Sequence, residues 1–174
     1  MIFYFTFDEF KNNLTIHIKM KKLLLSISML MIISISASAQ QQFVWNYYKV
    51  AMTLHDDFKV TKNTDEEFRA EGDGMEVYVD VWEQDIAVDD MDEAVASYAL
   101  KLKMTEVDAA HEVHINGLDG FYVEGFKDGD RIMLAGLIVP NSHTNIVVEI
   151  NFDDKDATAE KDALEILNSI KKLR

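Results

Sequence analysis

The 174-residue chain contains no cysteine. That absence excludes disulfides, a thiol nucleophile and the lipid-bearing residue of a lipoprotein leader. Proline is nearly absent as well: Pro140 stands alone, so turns must be built from Gly, Asn and Asp. Lys and Arg are scarce, 17 against 31 Asp and Glu, for a formal net charge of −14. Nucleic acids and anionic membrane surfaces are gripped mainly by basic side chains, so the balance argues against both as partners. No serine lies in a G-x-S-x-G turn and no glycine-rich phosphate loop occurs, so the usual signatures of nucleophilic catalysis and nucleotide binding are missing. No apolar run reaches the roughly 20 residues that a membrane-spanning helix needs.

The longest apolar run that is present covers residues 23–35 and is interrupted by Ser26, Ser28 and Ser34. Lys21 and Lys22 precede it, and Ala37-Ser38-Ala39 follows it. A short positive segment, an apolar segment and a small-x-small site make a secretory signal peptide over 20–39, with cleavage before Gln40. Residues 1–19 mix aromatics with Asp8, Glu9 and Lys11 and fit no part of such a leader. They read as a start site placed too early, with Met20 the initiator, or as an extended n-region. The expectation is a periplasmic or secreted protein with no stable membrane anchor after cleavage. Residues 40–174 hold 13 Lys and Arg against 29 Asp and Glu, a net charge near −16 that reads first as a solvated acidic surface.

That remainder has the size of one ordinary domain and no linker, repeat or low-complexity block. Alternation and turn residues predict strands over 43–52, 58–61, 67–71, 75–82, 112–116, 120–127, 131–139 and 146–152. In 75–82, Met75, Val77, Val79 and Val81 share one face, and Glu76, Tyr78, Asp80 and Trp82 the other. Asp128-Gly129 between two strands predicts a type I′ hairpin. The nearly continuous apolar run 132–139 predicts a strand covered on both faces. Helical spacing of Met91, Ala94, Val95, Tyr98, Ala99 and Leu102 predicts a helix over 89–104, with Asp90 and Glu93 as a capping box. Ala163, Ile166, Leu167, Ile170 and Leu173 predict a closing helix over 158–173, with Lys171, Lys172 and Arg174 at its negative end. This order implies an α+β fold, a largely antiparallel sheet with the two helices packed on it.

Candidate chemistry is sparse. His111 and His114 are three apart in a strand, a spacing that sends them to opposite faces, so this pair alone forms no chelate. His55 beside Asp56 and Asp57 is a partial ligand set that needs a further donor from elsewhere in the fold. Asp153, Asp154 and Asp156, and Asp85, Asp89, Asp90 and Asp92, offer oxygens for calcium, but without an EF-hand pattern, and acids beside helix starts usually cap. Ser97, Ser142 and Ser169 sit on helices or in a loop. The aromatic residues of strand 75–82, Tyr78 and Trp82, form a candidate protein- or glycan-contact face if no helix covers them; coverage by a helix is the simpler expectation. No catalytic, cofactor or metal residue is assigned.

The run Ile115-Asn116-Gly117-Leu118-Asp119-Gly120, the hairpin at Asp128-Gly129, the alanine- and tyrosine-bearing helix between Asp90 and Lys103 and the ending Ala163-Leu164-Glu165-Ile166-Leu167-Asn168-Ser169-Ile170 resemble the PsbP-like and DcrB-like proteins. The resemblance implies an α/β/α sandwich and an exported or peripheral accessory protein that binds other proteins, sometimes metals. The Ala39-Gln40 junction looks like leaders common in Bacteroidota. The functional expectation is an exported, non-catalytic accessory or binding domain with no cofactor, whose partner is another envelope or extracellular protein. The alternatives are a metal-assisted hydrolase of the envelope and a structural envelope component. If the leader is read correctly, intact-mass measurement of the exported protein should give a mature N-terminus at or near Gln40; an N-terminus anywhere else would overturn the cleavage site.

Overall fold

In the computed structural model, residues 40–72 and 74–174 are described; the predicted leader and the segment 1–19 lie outside the described residues. Among the described residues ten strands occur in chain order: β1 (Gln40–Trp45), β2 (Val50–His55), β3 (Lys59–Asn63), β4 (Phe68–Gly72), β5 (Met75–Trp82), β6 (His111–Ile115), β7 (Leu118–Lys127), β8 (Asp130–Ile138), β9 (Asn145–Phe152) and β10 (Lys171–Lys172). Helix α1 (Met91–Lys101) follows a single 3-10 turn at Val88–Asp90, and α2 is Ala159–Ser169. Seven strands form one sheet in the order β3-β4-β5-β9-β8-β7-β6, and β1-β2-β10 form a second. The named pairings among the described residues are antiparallel. The predicted α+β class is therefore observed, with the sheet divided in two.

The turns follow from their residues. Asp128 and Gly129 take φ of 55° and 102° and join β7 to β8 with Lys127 opposite Asp130. Asn116 and Gly117 take φ of 50° and 83° and join β6 to β7 in the same way. Two positive φ values are what a two-residue type I′ loop demands. Asn116 does more: its Nδ2 donates to the carbonyls of Asn168 at 3.0 Å and Ile170 at 2.8 Å. The hairpin thus satisfies backbone oxygens left over at the end of α2.

The large sheet buries both faces unequally. On one face Val77, Val79, Met133, Ala135, Leu137, Val148 and Ile150 pack with Trp45, Met52 and Leu54 of the small sheet and with Ala163, Ile166 and Leu167 of α2. On the other, Val123, Ile132, Leu134 and Val147 pack with Met91, Val95 and Ala99 of α1. β8 serves both clusters, as its unbroken apolar run predicts. Gly136 permits the close seating of α1: a Cβ there would lie 2.6 Å from Met91 Sδ and 2.8 Å from Val95 Cγ2.

Four expectations are corrected. The predicted strand 43–52 is two strands, because Asn46 to Lys49 turn, with Lys49 at φ 54°, and put Trp45 opposite Val50 in the core. The predicted helix 158–173 ends at Ser169. Buried Ile170 is extended, and Lys171 and Lys172 pair with Ala51 and Val50, satisfying edge groups of β2 that a longer helix would leave bare. Those lysines are therefore strand residues, and no basic residue lies in the last turn of α2. At α1 the capping box does not form: Asp90 holds the N-cap position without a side-chain hydrogen bond.

One buried ion pair lies beneath this scaffold. Glu124 on β7 has its side chain 8% exposed and meets Arg131 Nη2 at 2.6 Å; Arg131 also meets Glu160 at 3.0 Å and Asp154 at 3.3 Å. Burial lifts the Glu124 carboxyl above its usual range, against the pull of Arg131. The folded chain therefore holds this proton to higher pH than the unfolded chain does. The stability it contributes is complete below the unfolded carboxylate range and lost as pH rises through the lifted value. In urea melts across pH, Glu124→Gln should remove that decline. Arg131→Met should deepen it and cost about 1–3 kcal/mol at neutral pH, since removing the donor leaves a buried acceptor unpaired.

Candidate functional site

The chain leaves β5 in the middle of the large sheet and re-enters at edge strand β6, so its crossover passes over one half only. α1 rides in that crossover and packs over β7, β8 and β9. The outer face of β3, β4 and β5 lies beyond it. Here Glu76, Tyr78, Asp80 and Trp82 project from β5, with Arg69 of β4 paired to Tyr78 and Lys62 of β3 paired to Arg69.

The groups on this open face are linked in sequence. Glu67 bridges Lys62 and Arg69, the latter at 2.5 Å. Hydrogen bonds from Lys62 and then Arg69 hold the Glu67 carboxyl below its usual range. The Arg69 guanidinium lies 4.9 Å from the centre of the Tyr78 ring, a cation–π contact. The Tyr78 hydroxyl donates to Glu76. That hydrogen bond, reinforced by burial, pushes the phenol up to about 12.

Trp82 sits where open and covered halves meet. Its ring is 5.3 Å from that of Tyr98 on α1, edge-on at 77°. Tyr98 stands between two clefts. One, of about 200 Å³, is walled by Glu67, Arg69, Tyr78, Asp80, Tyr98 and Glu149. The other, of about 360 Å³, is walled by Trp82, Ile86, Tyr98 and Lys101 among others. The expectation that a helix covers the aromatic face holds for part of Trp82 and not for Tyr78; both side chains remain part-exposed. Arg69, which no sequence pattern marks, and Tyr98, which the sequence places in the helix stripe, both belong to this surface. Tyr98 falls on the apolar stripe of α1, which hides its position at the stripe's margin.

The remaining candidates disperse. His111 lies 3.3 Å from Asp108 and stacks on Tyr122, while His114 pairs with Asp119 at 2.8 Å, so the two histidines serve separate contacts. His143 and Asp85 meet at 2.7 Å in an exposed pair. Asp153 Oδ1 accepts from the Lys155 amide, and Asp156 accepts from the Thr158 amide and hydroxyl ahead of α2. Asp154 faces Arg131. Asp153 and Asp156 thus shape the turns ahead of α2, and Asp154 joins an ion pair. Asp56 and Asp57 are exposed after β2. His55 instead faces Asp162 and Glu165 of α2: one ligand atom from each lies within 4.8 Å of the other two. Neither acid was singled out, although an i, i+3 spacing on a helix places both on one face. Of the N-terminal aromatics, Trp45 is fully buried and Tyr47 is the exposed one.

This arrangement defines an α+β fold of the Mog1/PsbP type. Among solved structures, the Ran-binding protein Mog1p of Saccharomyces cerevisiae shares it at 12% identity and a TM-score of 0.54, over 78% of this chain and 96% of that one. A protein of Bacteroides thetaiotaomicron matches at 13% identity and a TM-score of 0.48, over 77% of this chain but only 48% of its own length. LpqN of Mycobacterium tuberculosis, involved in cell envelope biogenesis, matches at 11% identity and a TM-score of 0.49, over 76% of this chain and 90% of that one. No protein-family model and no curated protein matches the sequence significantly. No helix among the described residues is long and apolar enough to cross a membrane.

The linkage on the open face has a direct spectroscopic consequence. Glu76→Gln replaces the charged acceptor of the Tyr78 hydroxyl by a neutral one. In an ultraviolet titration the Tyr78 phenol should fall from about 12 toward the ordinary phenol value, with Tyr78→Phe marking which step is its own. An unchanged profile would show that Glu76 does not control Tyr78.

Proposed function

We propose that this chain is exported and works as a non-catalytic binding module for another envelope or extracellular protein. Its contact surface is the open part of the large sheet, centred on Tyr78 and Trp82 with Arg69 and Tyr98 beside them. One observation carries the reading: α1 covers β7–β9 and leaves an aromatic and charged face on β3–β5 with two adjoining clefts. Part-exposed Tyr, Trp and Arg are the side chains that most often anchor protein contacts, because each combines large area with a polar handle.

Charge and composition support the same reading. Twenty-nine acids against thirteen basic residues in 40–174 disfavour nucleic acid and anionic lipid and favour a partner with a basic patch. A protein of the same fold, Mog1p, is a Ran-binding protein, so this architecture accommodates protein recognition elsewhere. The leader over 20–39 supports export, and the lack of cysteine supports a released rather than lipid-tethered chain.

The test is affinity capture from an envelope extract by the tagged protein and by Tyr78→Ala/Trp82→Ala, with Tyr47→Ala as a control for an exposed aromatic elsewhere. A partner retained by the parent and the control but reduced at least about tenfold by the double variant is expected, the loss typical of removing interface anchors. Equal capture by all three proteins would overturn the surface assignment. A stable homo-oligomer that buries Tyr78 and Trp82 and retains no other protein would overturn the partner and favour a structural envelope component.

A further inference from the structure

The side of the molecule opposite the contact face carries a different constellation. β2 ends at His55, and α2 packs against β2 through Ala163, Ile166 and Leu167. The two elements are pinned in register: the Thr53 amide donates to Ser169 Oγ at 2.8 Å, and Ser169 Oγ donates to the Ile166 carbonyl at 2.6 Å. From Ser169 back to Glu165 the helix rises about 6 Å, and from Thr53 on to His55 the strand rises about 6.8 Å. The pin therefore brings Glu165 level with His55. Asp162, one turn earlier on the same helix face, joins them.

We propose that His55, Asp162 and Glu165 bind a divalent first-row transition metal ion such as zinc. One ligand atom from each residue lies within 4.8 Å of the other two. A tetrahedral ion about 2.0–2.2 Å from each donor would hold those atoms about 3.3–3.6 Å apart. The closure of about an ångström calls on side-chain torsions at the three residues, of which Glu165 is exposed and His55 and Asp162 are part-buried. An imidazole nitrogen with two carboxylates suits a transition metal better than calcium or magnesium, which favour all-oxygen shells. The two carboxylates neutralise a doubly charged ion. A cleft of about 340 Å³ opens beside the donors, lined by Gln40, Thr53, His55, Glu165, Asn168 and Ser169, with room for water or an exogenous ligand.

One competitor for Glu165 is visible. Lys161 Nζ lies 2.9 Å from Glu165 Oε1, one turn away on α2, with its own side chain 75% exposed. An exposed pair of this kind is weak and yields to a metal. The site stands on the other face of the large sheet from Tyr78 and Trp82, so it is independent of the proposed contact surface.

The experiment is a zinc titration of the purified, chelator-treated protein, followed by calorimetry with a competing chelator. One zinc per chain is expected, with calcium at least about tenfold weaker. His55→Ala and Asp162→Asn should each weaken zinc at least about tenfold, while His143→Ala, which removes an exposed His–Asp pair elsewhere, should leave it unchanged. Lys161→Ala should tighten zinc about two- to fivefold by releasing Glu165. Circular dichroism on each variant confirms folding, and His55→Gln replaces His55→Ala if the latter is unfolded. Zinc binding that survives His55→Ala or His55→Gln together with Asp162→Asn, or that is lost with His143→Ala, would overturn the site.

Discussion

The molecule depends on a mismatch of widths. Seven strands spaced about 4.8 Å apart make a sheet about 29 Å across, whereas one helix covers only about 10–12 Å. On one face the deficit is met by combining α2 with the three-stranded sheet. On the other, α1 alone is available, and its eleven residues shield three strands. The connection from β5 to β6 decides which three. The open face is therefore a result of topology and not of surface composition, and its residues have adapted to water by pairing with one another from Lys62 through Glu67, Arg69 and Tyr78 to Glu76.

How much of this was legible in the sequence follows the range of each interaction. β5 was read to the residue, because alternation is a property of neighbours. The Asp128-Gly129 loop was read for the same reason: two positive φ values are a local demand. The double burial of β8 was visible as an uninterrupted apolar run. The break between Trp45 and Val50 is not, since Asn46-Tyr47-Tyr48-Lys49 lacks the glycine that marks the β6–β7 and β7–β8 hairpins. The early end of α2 was hidden because Ile170 and Leu173 keep a helical apolar spacing. What pulls them out is the open edge of β2, some 120 positions away in the chain.

The candidate site shows the same division. Tyr78 and Trp82 were correctly placed on one strand face, yet whether a helix covered them was a question of sheet order, which no local pattern encodes. His55 was noticed for its neighbours Asp56 and Asp57, and the fold supplies different ones. Its acids come from α2 because Ser169 fixes the helix on Thr53. Asp153, Asp154 and Asp156, which also offered oxygens for a cation, are engaged locally, in turns ahead of α2 or opposite Arg131.

The three-stranded sheet has a bearing on when the domain can fold. Its middle strand, β2, is flanked by β1 and by β10, the latter near the carboxyl end of the chain. The Leu173 amide donates to the Lys49 carbonyl at 2.7 Å, and Lys172 reaches the Tyr48 carbonyl. The core beneath α2 thus closes only when β10 docks on β2, across a separation of about 120 residues. Contacts of such long sequence separation slow folding, because loop closure must be met before they form.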